Sequence, residues 1–193
     1  MFPTTVWTVI RQAGEADDAA LEHFAREYRS PVLAFLRQRG YGEGDAEDLC
    51  QDVFLRVLRG GVLSKADRGR GRFRSLLLSV ARHAALDRER KQREFAEPEL
   101  EEQLVDEDAT DPEFDREWVL LLSQRALARL EAEGSPYHAV LRGHLDGVSQ
   151  DRNKLWIARK KLRELLKHEV ALTCDSPTAI EAELEYLSQY LAP

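Results

Sequence analysis

The chain has 193 residues, 43% of them hydrophobic and 33% charged. That is enough for one domain or two small ones with a thin core and a heavily charged surface. No run approaches the roughly 18 apolar residues of a membrane helix, the opening Met1-Phe2-Pro3-Thr4-Thr5 lacks the regions of a secretory signal, and Cys50 and Cys174 are too few for a disulfide framework or a four-ligand zinc site. A soluble, reduced, cytoplasmic protein with no membrane partner is the expectation, and its net charge of −7 is strongly segregated along the chain.

Strand signals are nearly absent; the β-branched run Thr4–Ile10 is short. Ala19–Arg29 carries Leu21, Phe24 and Tyr28 at helical spacing. Ser30-Pro31 reads as a fresh N-cap with proline at the first helical position, and Val32, Phe35 and Leu36 continue the stripe. Gly40-Tyr41-Gly42-Glu43-Gly44 reads as a turn, its GxG having no preceding strand. Asp45 is placed to cap the next helix, whose stripe is Leu49, Val53, Phe54, Val57 and Leu58, with Asp48, Gln51, Asp52 and Arg56 outward and Gly60-Gly61 at its end.

Between Arg56 and Arg93 there are twelve basic residues and three acids. Within that block, Lys65–Gly71 reads as a basic loop and Arg72–Arg93 as a long helix. Phe73, Leu76, Leu77, Val80 and Ala84 fall on one side of the helix, and Arg74, Ser75, Ser79, Arg82, Arg90 and Arg93 on the other. A face of guanidiniums and hydroxyls without neighbouring acids suits phosphates and base edges. From Glu94 to Asp115 the pattern inverts, with eleven acids and no Lys or Arg. The proline-containing part, 96–114, reads as an extended acidic linker in which Leu100, Leu104 and Val105 could make one weak turn.

A second helical unit begins near Asp115, with Trp118, Leu121, Leu122, Ala126 and Leu130 at helical spacing. Gly134-Ser135-Pro136 reads as a turn and cap, Tyr137–Leu145 as a short helix, and Asp146-Gly147 as its end. Ser149 is placed to cap a final long helix with Leu155, Ala158, Leu162, Leu165 and Val170 inward. From Arg152 to Lys167 that helix has seven basic residues and one acid. The tail from Ser176-Pro177 is acidic and amphipathic through Ile180, Leu184, Leu187 and Leu191, and is expected to pack back on the second unit. Two basic blocks around an acidic strip can bind polyanions locally despite the global sign. His23, His83, His138, His144 and His168 form no HExxH pattern, and there is no Walker loop or nucleophile elbow. No enzyme, catalytic residue, metal site or cofactor is expected, and Cys50 is expected in the core rather than as a reactive thiol.

Asp45-Ala46-Glu47-Asp48-Leu49-Cys50-Gln51-Asp52-Val53-Phe54-Leu55-Arg56, then Arg72-Phe73-Arg74-Ser75-Leu76-Leu77 and Ala81-Arg82-His83-Ala84-Ala85-Leu86-Asp87-Arg88, resemble regions 2.2, 2.3 and 2.4 of an extracytoplasmic-function (ECF) sigma factor of the sigma-70 family. The opening Phe2–Trp7 and Asp115-Arg116-Glu117-Trp118 are similar to a subgroup associated with planctomycete-like bacteria. The resemblance implies an all-α fold of two small helical domains, a region 2 bundle over 1–95 and a helix-turn-helix-like region 4 over 115–193, joined by the acidic linker. It implies an alternative sigma factor that binds core RNA polymerase and directs promoter recognition and melting.

In that reading Asp48, Gln51, Asp52 and an outward Phe54 face the β′ clamp helices. Arg72, Phe73, Arg74, Ser75, Arg82 and His83 capture a flipped base of the −10 element, while Arg88, Arg90 and Lys91 hold phosphates. Capture costs unstacking energy that stacking and phosphate contacts offset. The linker would lie in the polymerase's nucleic-acid channel. The implied partners are core polymerase through its clamp helices and β flap, promoter DNA, and an anti-sigma factor.

The chain departs from the family in having Leu76 where Trp is usual and His83 where Asn is usual. It also has a shortened region 4, in which Asp146-Gly147-Val148-Ser149 leads straight into Gln150–Trp156. Either Tyr137–Leu145 is the scaffold helix, or roughly a dozen residues are missing. Reading of a −35 element by Arg152, Asn153, Lys154, Arg159 and Lys160 depends on that choice. A non-initiating regulator that binds DNA or polymerase through a degenerate region 4 is the alternative.

Overall fold

The periodic apolar stripes become helices in a computed structural model of the chain, which describes residues 6–11, 18–59, 72–92, 106 and 109–191. Among these the fold is all-α, with eight helices and no strand. They are α1 (Val6–Arg11), α2 (Asp18–Gln38), α3 (Glu43–Arg59), α4 (Phe73–Gln92), α5 (Pro112–Ala132), α6 (Pro136–Leu145), α7 (Arg152–Leu172) and α8 (Pro177–Leu191). The expected Lys65–Gly71 loop, the Gly60-Gly61 stop, Arg93 and the turn at Leu100–Val105 lie outside the described residues. No described helix is long and apolar enough to cross a membrane.

The β-branched start of the chain is helical: Val6 and Trp7 of α1 are buried, with Trp7 edge-on to Phe73 at 6.2 Å. The expected break at Ser30-Pro31 is absent, because α2 runs through Pro31. An interior proline costs a helix ~3 kcal/mol. Phe24, Tyr28, Val32, Phe35 and Leu36 form one buried stripe across it, and each such side chain contributes about 1.5–3 kcal/mol. α2 ends in a Schellman turn: Gly40, at φ 88°, donates to Arg37 O and Tyr41 donates to Leu36 O. α3 starts at Glu43, two residues ahead of the expected cap, so Asp45 sits in its first turn.

Later boundaries follow side-chain caps. Asp111 accepts from the backbone N–H of Glu113 and Phe114 and starts α5 three residues before Asp115. Ser135 caps α6 with Pro136 behind it, and Gly147, at φ 75°, follows its end. The cap of α7 is Asp151, accepting from Lys154 N at 2.9 Å, not Ser149. Ser176 Oγ accepts from Ala179 N at the start of α8.

The two expected units are packed on each other. A single apolar cluster runs from Val6 to Leu187. At its centre Trp118 of α5 stacks on Tyr28 of α2 at 5.7 Å and lies 6.0 Å from Phe73 of α4. A smaller cluster of Leu130, Leu141 and Ala158 ties α5, α6 and α7 together.

Candidate functional site

On α3, Asp48, Gln51 and Asp52 are exposed, as their outward spacing requires. Phe54 is not outward: it is 4% exposed and packs edge-on to Phe24 at 6.5 Å. It belongs to the buried stripe with Val53 and Val57, and that position on the helix decides its direction. Its flank borders a groove of about 360 Å³ between α2 and α3, also lined by Arg26, Arg29, Glu47, Cys50 and Gln51. Arg29 and Glu47 form an ion pair across this groove. Burial pushes the Cys50 thiol up to about 12, so it stays protonated and inert at neutral pH. Cys174 is also buried, and desolvation pushes its thiol up to about 12.

The face of α4 expected to hold nucleic acid is closed. Every residue from Phe73 to Ala81 is buried, so α4 is enclosed on both flanks rather than one. Arg74 makes four hydrogen bonds. Nε donates to Glu183 Oε1 at 2.7 Å, Nη2 to Glu183 Oε2 at 3.2 Å, and Nη1 to Asp115 Oδ1 at 2.7 Å and to Ala109 O at 3.1 Å. The side chains of Asp115 and Glu183 are both 0% exposed. Tyr186 lays its ring 4.5 Å from the guanidinium and donates its hydroxyl to Asp115 Oδ2 at 2.6 Å. Burial by itself would favour the neutral guanidine, but the bonds and charge of Glu183 and Asp115 outweigh it and hold the guanidinium above its ordinary pKa. Desolvation, then the bond to Asp115, raises the Tyr186 phenol.

The remaining −10 candidates surround this centre. Arg72 Nε lies 3.7 Å from Glu183 Oε2. Its backbone bridges Cys174, and Phe73 N donates to Thr173 O. Phe73 is in the aromatic cluster, and Ser75 is buried with no partner for its hydroxyl among the described residues. Ser79 Oγ accepts from Asp106 N at 3.2 Å. Arg82 donates to Thr110 O, and His83 Nδ1 lies 2.9 Å from Ser79 O. Arg88 Nη2 donates to Asp45 Oδ1 at 3.0 Å, and Arg90 and Lys91 are exposed. Asp106, Ala109 and Thr110 of the acidic strip thus lie on α4.

The −35 candidates stand apart from it. Arg152, Asn153, Lys154, Arg159 and Lys160 are all exposed on the first half of α7. Trp156 among them is 66% exposed, with Lys160 Nζ 5.9 Å from its ring. α6 packs against α7 across the six-residue turn 146–151, and Arg159 reaches His144 at 2.9 Å. The Gln150 side-chain amide lies against Gly143, where a Cβ would stand 2.4 Å from it.

Sequence reasoning missed Asp115, Glu183 and Tyr186. The signal for the two acids was their phase. Glu183 lies three residues after Ile180 and four before Leu187, and Asp115 lies three before Trp118. Both acids therefore sit on apolar stripes.

Residues 24–95 match the family model Sigma-70 region 2. The match spans most of α2 and all of α3 and α4, the helical set that carries the acidic outer strip. A match to this family model supports a sigma factor role in RNA polymerase binding and promoter melting. No curated protein and no solved structure matches the chain.

Proposed function

We propose that the chain is an alternative sigma factor of the ECF kind, divided into a region 2 unit (1–95), an acidic linker (96–114) and a region 4-like unit (115–193). The observation that carries this reading is the exposed Asp48–Gln51–Asp52 strip inside the segment matching Sigma-70 region 2. Two carboxylates and an amide on one helix face complement a basic coiled coil such as the β′ clamp helices.

Once α4 is uncovered, Arg72, Phe73, Arg74, Ser75, Arg82 and His83 take the melted −10 strand, with Arg88, Arg90 and Lys91 on phosphates. α6, the turn and α7 act as a compact helix-turn-helix. Arg152, Asn153, Lys154, Arg159 and Lys160 meet the −35 backbone beside Trp156. The second unit also meets the β flap or an anti-sigma factor, and the site of action is the cytoplasm.

Run-off transcription with purified core polymerase on a mapped promoter tests this. A specific transcript that depends on the chain, and falls at least about tenfold with Asp52→Arg, is the expected result. The closed state of α4 favours one competitor, a regulator that docks without initiating. Core binding with no transcript from any mapped promoter selects that competitor.

A further inference from the structure

We propose that α8 is a displaceable acidic strap that occupies the phosphate-binding edge of Arg74 and keeps single-stranded promoter DNA off α4 in the free protein; this rests on the reading of α4 given above. The Nε–Nη2 edge of a guanidinium is a fork that fits a carboxylate or a phosphate in the same two-point geometry. Here Glu183, 109 residues further along the chain, fills that fork with both oxygens. The same carboxylate faces Arg72. One side chain of α8 therefore holds two of the cations assigned to the strand.

α8 is also held by few fully buried side chains. Its buried side chains are only Glu183 and Leu187; Ala179, Ile180, Leu184, Tyr186 and Tyr190 are partly buried against the core. The ion pair of Glu183 is therefore one part of its attachment beside this apolar packing, and a buried ion pair adds little net stability over the two groups solvated apart. The helix has Glu181, Glu183 and Glu185 and no Lys or Arg, so a polyanion approaching α4 repels it while competing for the same fork. After α8 leaves, Asp115 and Ala109 O still orient Arg74 through Nη1, with its outer edge open. The Asp48–Gln51–Asp52 strip is exposed while the strap is closed, so docking on polymerase does not require release.

The test compares full-length chains for binding of a short fluorescent single-stranded −10 oligonucleotide by anisotropy, with affinity for core polymerase measured in parallel. Glu183→Gln removes the competing charge. Leu187→Ala loosens α8 with every charge intact. Glu181→Gln removes an exposed charge of the same helix that touches neither Arg72 nor Arg74. A strap closed nine-tenths of the time weakens strand binding about tenfold. Glu183→Gln and Leu187→Ala should therefore each tighten strand binding by about that factor, Glu181→Gln should leave it unchanged, and core affinity should stay constant throughout. Circular dichroism establishes that each variant folds, and either loosening variant suffices alone.

Equal strand affinity in all four chains overturns the strap and leaves the sigma reading standing. So does an equal gain from Glu183→Gln and Glu181→Gln with none from Leu187→Ala, which is bulk electrostatics. Core binding with no strand binding by any variant overturns the strap and the role of α4 together. Loss of both activities in every chain overturns the underlying reading.

Discussion

Arg74 illustrates how far a side chain's fate can lie from its local sequence. Its phase on α4 places it at the edge of the apolar arc, on the side of Ser75 and Ser79 that reads as solvent-facing. Two carboxylates from α5 and α8 instead enclose it. Enclosing a cation costs several kcal/mol unless charge and hydrogen bonds compensate. The compensation is shared, so removing one partner is more damaging than removing all. Asp115→Ala should lower the unfolding free energy by about 3–5 kcal/mol in urea titrations. The combined Arg74→Met, Asp115→Leu, Glu183→Leu chain should lose less than that single variant. The reverse order would mean that the cluster is solvated.

The helices show which local signals dominate when several compete. Ser149 and Asp151 are both competent caps, and the chain uses the acid whose oxygen lies 2.9 Å from Lys154 N. Asp151→Ala should therefore cost about 1 kcal/mol, whereas Ser149→Ala should change thermal stability very little. At Pro31 the competition runs the other way, and apolar burial on both sides of the ring overrides a local break signal. Phe54 obeys the same rule. The resemblance to a polymerase-facing position points it outward, while its phase with Val53 and Val57 points it in, and phase prevails.

The molecule as a whole is held by aromatic contacts between segments that sequence reading separates. Trp118 touches Tyr28, Phe73 and Phe114, so both halves of the chain depend on one ring. Trp118→Ala should cost about 3–5 kcal/mol. In the unmutated protein, far-UV circular dichroism and tryptophan fluorescence should report one coincident urea transition. Two resolved transitions would show halves that fold independently.

The helices from α2 onward, the turns at Gly40, Gly134 and Gly147, and the outward strip on α3 were legible in the sequence, because apolar period and capping residues act over a few neighbours; α1 and the passage of α2 through Pro31 were not. The closure of α4 was not. It depends on contacts between residues about a hundred positions apart, and on acids at inward phase that compositional reading assigns to a solvated tail.

Glu183 stands 109 residues after Arg74. A growing chain is extended from its N-terminus, and early segments fold as they emerge from the ribosome. During synthesis α2, α3 and α4 therefore leave the exit tunnel well before the carboxylate that will enclose their arginine. Every nascent copy passes through an interval, set by translation speed, in which that guanidinium faces the ribosome's own RNA-rich surface without its final partner.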